Sequence, residues 1–455
     1  MSITLEERNK LPADVYPGDE TTVKAPEPDM MSVEITGDRY TDHDFKNREW
    51  EHMWRKVWMI AGMAADCAES GDYFTCELGH ESLLFVRGAE NIRGFYNICQ
   101  HRGAKLVLNE KGTLDRFSCI YHGWQYDSDG KLVNAQDRDD FERDPCEYVN
   151  LVSFRTEVFA GFVWYCLDDD APGLDEFLGP MKEQLESWHL DAGFRVEHFT
   201  VELPCNWKVV IDNFQEGYHI RTLHPQLLET VNENKEAVQY DLYPGGHSRM
   251  ILLGCDPSPN FKPENTLPES ILHMLTKWEI EPDDYASRHG EIRPALQQQK
   301  RAKAAERGKD FSHLSDAQLT DNFLYDLFPS CALSVYPEGE YVWLLRSRPH
   351  PDDPEKCLFD YWTIAQFPEG ENTLYWEHMD MTLSREDEIE HKQFKWGEES
   401  ISFGIDQDID IAPIVQSGMR SHGFKKAILC HQERRVQFLH DNIDRYLNGT
   451  LGGKK

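Results

Sequence analysis

The stretch NICQHRGAKLVLNEKGTLDRFSCIYHGWQYDSDG, residues 97–130, decides the fold. It holds Cys99-Gln-His101 and, after seventeen intervening residues, Cys119-Ile-Tyr-His122. The two pairs supply two thiolates and two imidazoles from two loops. That donor set suits a tetrahedral zinc ion, or a [2Fe–2S] cluster with both thiolates on one iron and both imidazoles on the other. A zinc ribbon normally repeats C-x₂-C with thiolates in both halves, which this stretch does not do. Neutral imidazoles in place of two thiolates remove negative charge and raise a cluster's reduction potential.

Further along comes Asn206-Trp-Lys-Val-Val-Ile-Asp-Asn-Phe-Gln-Glu-Gly-Tyr-His219-Ile-Arg-Thr-Leu-His224-Pro225. On one straight helix His219 and His224 would lie ~140° apart, too wide for a shared ligand. A helix that ends between them, as Pro225 suggests, lets both imidazoles converge. Two His and one carboxylate are the ligand set of non-haem Fe(II) oxygenases, with open positions for O₂ and substrate. The carboxylate has to come from elsewhere. Asp408 is the leading candidate, and Asp406 and Asp410 are its rivals on sequence alone. The chain has 19 His, so any single one can equally be a core or surface residue.

The loops His101-Arg102-Gly103 and His122-Gly123-Trp124 resemble those of Rieske proteins. With the second constellation, the chain from about Trp54 onward resembles the large (alpha) subunit of Rieske non-haem iron oxygenases, the ring-hydroxylating dioxygenase family. Asn206-Trp207-Lys208, Tyr218-His219, His224 and Gln416-Ser-Gly418 carry the likeness. It implies that Cys99, His101, Cys119 and His122 hold a [2Fe–2S] cluster. It implies a mononuclear Fe(II) on His219, His224 and Asp408. It also implies a bridging carboxylate three residues before the first His, here Glu216, which joins that His to the Rieske His of a neighbouring subunit. The family's commoner residue there is Asp. Glu occurs in relatives acting on quaternary amines such as choline, carnitine and betaine. Asp212, four residues earlier, either lies near the iron or caps a helix N-terminus.

The resemblance implies an enzyme, the terminal oxygenase of a multicomponent system. NAD(P)H electrons enter through a separate reductase, with or without a ferredoxin, because no Gly-rich dinucleotide motif is visible in this chain. O₂ is the co-substrate, and one or both of its atoms enter a small molecule. The expected substrate is an aromatic compound, giving hydroxylation or cis-dihydroxylation. Arg346 and Arg348 are candidates to pair a carboxylate on it. Chain length and a long insertion favour this ring-hydroxylating branch. The alternative is a monooxygenase or N-demethylase of a quaternary amine, with Trp207 or Trp343 offering cation–π contacts. A pure electron carrier is a remote alternative. Respiratory Rieske loops add a disulfide-forming Cys beside each ligand pair, and none stands near His101 or His122. A head-to-tail electron route predicts a closed ring, a homotrimer or an α₃β₃ assembly with a small beta subunit.

Composition fits an intracellular, cytoplasmic enzyme. The 455 residues suffice for two domains, and 40% hydrophobic content is globular. The net charge of −34 disfavours nucleic acid, which needs a basic face. The N-terminus lacks the basic and apolar blocks of a signal peptide, and no apolar run is long enough to span a membrane. Beyond Cys99 and Cys119, nine of the 11 Cys show no disulfide framework. Arg102, Lys105, Lys111 and Arg116 gather near the cluster loops, as a docking patch for an acidic donor or as ordinary solvated residues.

The expected fold class is α+β: a small antiparallel β Rieske domain plus a larger helix-covered antiparallel-sheet catalytic domain. Residues 1–52 form an arm and helix packing on the catalytic domain, 53–170 the Rieske domain and 171–455 the iron domain. Phe45, Trp50, Met53, Trp54 and Val57 stand near helical spacing. The acidic, Pro/Gly-marked stretch 167–173 reads as the boundary. Strands are expected at 196–201, 332–336, 341–346 and 358–366. The charged, Ala/Gln-rich insertion at 281–320 reads as an exposed helix with a solvated basic face, or as a gate over the pocket.

Overall fold

The structure is a computed structural model that describes residues 19–261, 267–367, 370–376 and 381–451. The first part of the expected N-terminal arm, residues 1–18, lies outside that set. The chain divides into two compact units. One runs through Lys46 and resumes at Leu178–Arg445; the other holds Asn47–Phe177 and the segment from Tyr446. The divisions therefore fall at 46/47 and 177/178 rather than 52/53 and 170/171. The acidic stretch does not end the smaller unit, because Pro172 is tied into it. Its carbonyl accepts from Trp58 Nε1 at 2.9 Å and from Arg155 Nη1 at 3.1 Å.

In the smaller unit, strands β1 (Met59–Met63), β2 (Asp72–Leu78), β3 (Glu81–Arg87), β4 (Ile92–Tyr96), β5 (Lys111–Thr113), β9 (Ser153–Phe159) and β10 (Phe162–Cys166) form one antiparallel sheet. Its order is β1-β10-β9-β4-β3-β2-β5. A second, three-stranded sheet joins β6 (Phe117–Ser118), β7 (Gln125–Tyr126) and β8 (Leu132–Asn134). Leu83, Leu84, Phe85 and Val86 of β3 are all buried, so that strand reads as a continuous apolar run instead of alternating. The cluster loops leave β4 and β6, and Cys99 and Cys119 pack in the same core as Leu84, Phe95, Trp124 and Leu132.

The larger unit is built on a nine-stranded sheet in the order β12-β14-β15-β16-β17-β18-β11-β21, with β13 also paired to β14. These strands are β11 (Gly193–Leu203), β12 (Val231–Asn232), β13 (Val238–Leu242), β14 (Ser248–Gly254), β15 (Asn322–Leu327), β16 (Cys331–Val335), β17 (Tyr341–Pro349), β18 (Cys357–Gln366) and β21 (His391–Lys395); β19 (Thr373–Trp376) and β20 (Met381–Ser384) form a separate hairpin. All pairs are antiparallel except β11–β21. The site elements are helices α1 (Trp207–Phe214), α2 (Ile220–Leu223) and, much later in the chain, α5 (Phe403–Met419). Between them, α3 (Glu269–Lys277) and α4 (Ile292–Lys303) flank and enter the charged insertion.

Register decides which face of the sheet each side chain takes. Directly opposed residues share a face, and neighbours along a strand alternate. Trp343 of β17 opposes Thr363 of β18, which opposes Glu197 of β11. Leu345 opposes Tyr361, and Tyr361 opposes Phe199. Phe359 belongs to the same set, and Phe214 of α1 stacks on it with ring centroids 6.0 Å apart. Helix α1 therefore covers this face. Arg346 opposes Asp360, which opposes Thr200, so these three lie on the other face.

The insertion differs from the exposed helix expected. On α4, Arg293 and Lys300 are buried. Arg293 Nε donates to Asp321 at 2.8 Å, and Lys300 pairs with Glu338 at 2.8 Å. The basic run thus splits into two buried cations and more exposed ones, Arg301, Lys303, Arg307 and Lys309, that also meet acidic partners. Leu296 and Lys300 help wall a cavity of about 280 Å³ together with Trp278, Tyr336 and Tyr341.

Candidate active site

The two cluster loops share one backbone device. Gly103 N–H donates to Cys99 O at 3.0 Å, and Gly123 N–H to Cys119 O at 2.9 Å. Each loop is closed again by the thiol residue's own N–H, to Ala104 O and to Trp124 O, both at 2.8 Å. The turns need φ of +76° at Gly103 and +68° at Gly123, a region that suits glycine. The loops thereby bring the imidazoles of His101 and His122 to 4.6 Å between centroids at 74°. Trp124 stacks on His101 at 4.6 Å and 11°, fixing that ring. His101 Nδ1 is buried and has no hydrogen-bond partner, as a nitrogen reserved for a metal would be. Burial, with the charges of His122 and Arg102, holds the His101 pKa below its ordinary value, which favours the neutral, ligating form. Tyr126 Oη accepts from Gln100 N–H at 3.1 Å and lies 3.4 Å from Cys99 Sγ; a thiolate there, having no proton, would accept the Tyr126 hydroxyl proton. The donor set fits a [2Fe–2S] cluster with two thiolates and two imidazoles.

The second site forms where a short helix ends. Asn206 caps α1, its side chain accepting from Lys208 N–H at 3.0 Å. Asn206 N–H donates to Gln416 Oε1 at 2.9 Å, so two sequence signals 210 residues apart are one contact. After α1 the chain makes the single turn α2, with His219 at its N-cap and His224 at its C-cap. Pro225 follows, and the helix does end between the two His as Pro225 suggested. Helix α5 supplies Asp408. The ligating atoms of His219, His224 and Asp408 lie within 4.8 Å of one another. His224 Nε2 is 2.8 Å and His219 Nε2 3.6 Å from Asp408 Oδ1. The donor chemistry fits a mononuclear iron with open positions.

The opposite nitrogens are held too. His219 Nδ1 lies 2.6 Å from Glu216 Oε1, and Glu216 Oε2 accepts from His219 N–H at 3.1 Å. Burial pulls the His219 pKa down, but Glu216 and the charge of Asp408 outweigh it and raise it. His224 Nδ1 lies 2.9 Å from Gln407 Oε1. Asn213 Nδ2 donates to Asp408 Oδ1 at 2.7 Å.

The rival carboxylates are engaged elsewhere. Asp406 accepts from Ile401 N–H at 3.0 Å, and Asp410 from Trp396 Nε1 at 2.8 Å. Asp212 neither caps α1 nor joins the three. It accepts from Tyr40 Oη at 2.6 Å and lies 3.2 Å from His440 Nε2, because it sits in the last turn of α1 on the side of those residues. Arg346 and Arg348 are not substrate clamps: both donate to buried Asp360, at 2.8 and 2.7 Å, on the sheet face away from α1. These guanidiniums hold the Asp360 pKa below the carboxylate range despite burial, which pushes it up. Trp207 is buried, with Lys208 Nζ 4.9 Å from its ring centroid. Arg102, Lys111 and Arg116 are exposed, while Lys105 pairs with Glu77 at 2.8 Å.

On the α1 side the sheet carries an aromatic row that only Trp343 signalled in sequence. Tyr336 lies 4.8 Å from Trp343 and 4.2 Å from Tyr341, and Trp343 lies 5.8 Å from Tyr361. Burial raises the Tyr336 pKa, and the neighbouring Tyr341 and Tyr361 and the charge of Asp408 add to it. Glu197 joins the row by register and accepts from Thr363 Oγ1 at 2.6 Å. Asn213, Gln407, Tyr336 and Glu197 were not singled out from the sequence, since amides and scattered aromatics have no spacing signal.

Residues 57–150 match the Rieske [2Fe-2S] domain, and residues 185–449, more than half of the chain, match the ring hydroxylating alpha subunit (catalytic domain). The chain belongs to the Rieske ring-hydroxylating oxygenase family. Its cofactors are accordingly a Rieske [2Fe–2S] cluster and a mononuclear iron. Among relatives of this Rieske oxygenase is the glycine betaine monooxygenase oxygenase subunit of Pseudomonas aeruginosa (strain UCBPP-PA14), 32% identical over 43% of this chain and 45% of that one. The carnitine monooxygenase oxygenase subunit of Escherichia coli (strain K12) is 32% identical over 43% of this chain and 53% of that one. The match thus spans about half the length of these relatives. Over the whole length, a quaternary ammonium Rieske monooxygenase has the same fold, with a TM-score of 0.66, 20% identity and coverage of 96% of this chain and 99% of that one. Among the described residues, no helix is long and apolar enough to cross a membrane.

Proposed function

We propose that this chain is the terminal oxygenase of a multicomponent system whose substrate is a quaternary ammonium compound, oxidised at a carbon next to nitrogen. The observation that carries the substrate class is the aromatic row of Tyr336, Tyr341, Trp343 and Tyr361 with a carboxylate, Glu197, on the same sheet face. Aromatic faces and a carboxylate together attract a cation, whereas a neutral hydrocarbon gains nothing from Glu197. The guanidiniums of Arg346 and Arg348 face the other way, so the charge on this face is the carboxylate of Glu197. Glu216 and the glycine betaine and carnitine relatives point in the same direction. This reading replaces the aromatic substrate that chain length favoured.

In this reading His219, His224 and Asp408 hold the iron, and Cys99, His101, Cys119 and His122 hold the cluster. When bound, the two groups supply one-electron transfer and O₂ activation, with two electrons and two protons accompanying insertion of one oxygen atom and release of the other as water. Glu216 orients His219 and provides the charged link toward a cluster in a neighbouring subunit. The aromatic row orients the substrate's methyl groups and excludes water. A reductase donates through the exposed basic residues near the cluster loops, and the working assembly is a homotrimer.

A single turnover tests the substrate class. The protein is reduced anaerobically, mixed with one candidate and exposed to O₂ while cluster absorbance is followed. Glycine betaine, choline or carnitine should accelerate reoxidation and yield a hydroxylated or demethylated product. Acceleration by aromatic acids or hydrocarbons alone would overturn the reading.

A further inference from the structure

We infer that Gln407 is a positioning residue that holds His224 in its metal-binding tautomer, an inference that rests on the metal reading of His219, His224 and Asp408. A metal bound through Nε2 requires the proton on Nδ1, and therefore an acceptor facing Nδ1. For His219 that acceptor is Glu216, at 2.6 Å. For His224 it is Gln407 Oε1, at 2.9 Å. The orientation of the Gln407 amide is set by a second donor, Gln226 Nε2, 2.7 Å from the same oxygen. Reversing the amide would turn an NH₂ toward Nδ1 and move the histidine's proton to Nε2, where it blocks a metal.

Gln407 precedes Asp408 on α5. One turn of that helix therefore delivers a carboxylate ligand and also orients a second ligand on a different segment. The two histidines are held differently: His219 by a charged acceptor, His224 by a neutral one. Only the charged side suits an electron route between subunits, and the neutral side needs no more than orientation.

The test uses the full-length protein carrying its cluster, with Fe(II) affinity measured by chelator competition. Gln407→Leu should weaken Fe(II) binding about 10- to 100-fold, with the visible cluster spectrum and far-UV circular dichroism unchanged. Gln407→Glu keeps an acceptor at nearly the same volume and should restore affinity to within a few-fold. Gln226→Leu removes only the exposed amide that sets the orientation, and should give a smaller loss in the same direction. Parental affinity in Gln407→Leu, or equal losses in the Leu and Glu variants, would overturn the proposal. Asp408→Ala reports separately on the metal reading. If it also binds Fe(II) normally, that reading fails and the inference falls with it. If it alone loses Fe(II), the three-residue site stands and only the role of Gln407 is rejected.

Discussion

Glu216 touches His219 twice, through Nδ1 and through the backbone N–H, so it aims the ring and puts a negative charge beside it. Glu216→Gln preserves the shape and removes the charge. Iron content should stay near the parental level, while substrate-triggered cluster reoxidation should slow by about 10- to 100-fold, measured by stopped-flow absorbance. At the other site Tyr126 Oη lies 3.4 Å from Cys99 Sγ and would donate to it when Cys99 is a ligating thiolate. A hydrogen bond to a sulfur stabilises the more negative, reduced cluster. Tyr126→Phe should therefore lower the reduction potential. With about 1 kcal/mol per hydrogen bond and 59 mV per tenfold change for one electron, the fall is roughly 40 mV. Redox titration of the visible spectrum checks the sign and the size.

At the scale of elements, the helix and strand periods explain what sequence reading could settle. Asp406 and Asp410 are four residues apart on α5 and share a side, while Asp408 points nearly opposite. Sequence geometry thus groups the two rivals against Asp408 but does not say which side meets His219 and His224. Strand β17 gives a parity in the same way. Tyr341 and Trp343 alternate with Val342, Leu344, Arg346 and Arg348, so Trp343 and either arginine cannot face one substrate. Asp360, which claims both arginines, lies on the next strand and leaves no local signal. The two faces should respond differently to mutation. Trp343→Leu and Glu197→Gln should raise KM for the amine with little change in urea midpoint. Arg346→Met should leave KM alone and destabilise the fold by about 1–3 kcal/mol, because it removes one of the two guanidiniums on the buried Asp360 carboxylate and leaves Arg348 as its remaining cation. The cluster loops offer a second element-scale test. A Cβ at Gly103 meets nothing within 4 Å, so Gly103→Ala carries a conformational cost only. That cost is about 1–2 kcal/mol, read from urea unfolding followed at the cluster absorbance.

For the whole molecule, the fold class was legible because both metal-binding patterns lie in compact sequence windows and force the chain into loops at known places. What joins distant segments was not legible. Asn206 and Gln416 stand in separate motifs, and nothing in either announces that one donates to the other. The insertion misled for the same reason. Arg293 and Lys300 look solvated in sequence, and their partners Asp321 and Glu338 come from beyond the helix.

The two sites occupy different compact units, residues 97–126 in one and residues 213–408 in the other. Each cofactor should therefore stabilise its own unit by mass action. Free Fe(II) at about 100 times its Kd adds about 2.7 kcal/mol, and for a unit of about 300 residues that is roughly 4 °C in Tm. Mild chelation should lower the Tm of the larger unit by that amount, read from the part of the tryptophan-fluorescence transition that does not coincide with cluster bleaching, since both units carry tryptophans. Bleaching of the cluster absorbance, which reports on the smaller unit, should keep its midpoint. His224→Ala should lower the Tm in the same probe and abolish its response to added Fe(II). A cluster transition that moved in step with iron loading would mean that the two units melt as one and that the cofactors stabilise the molecule jointly.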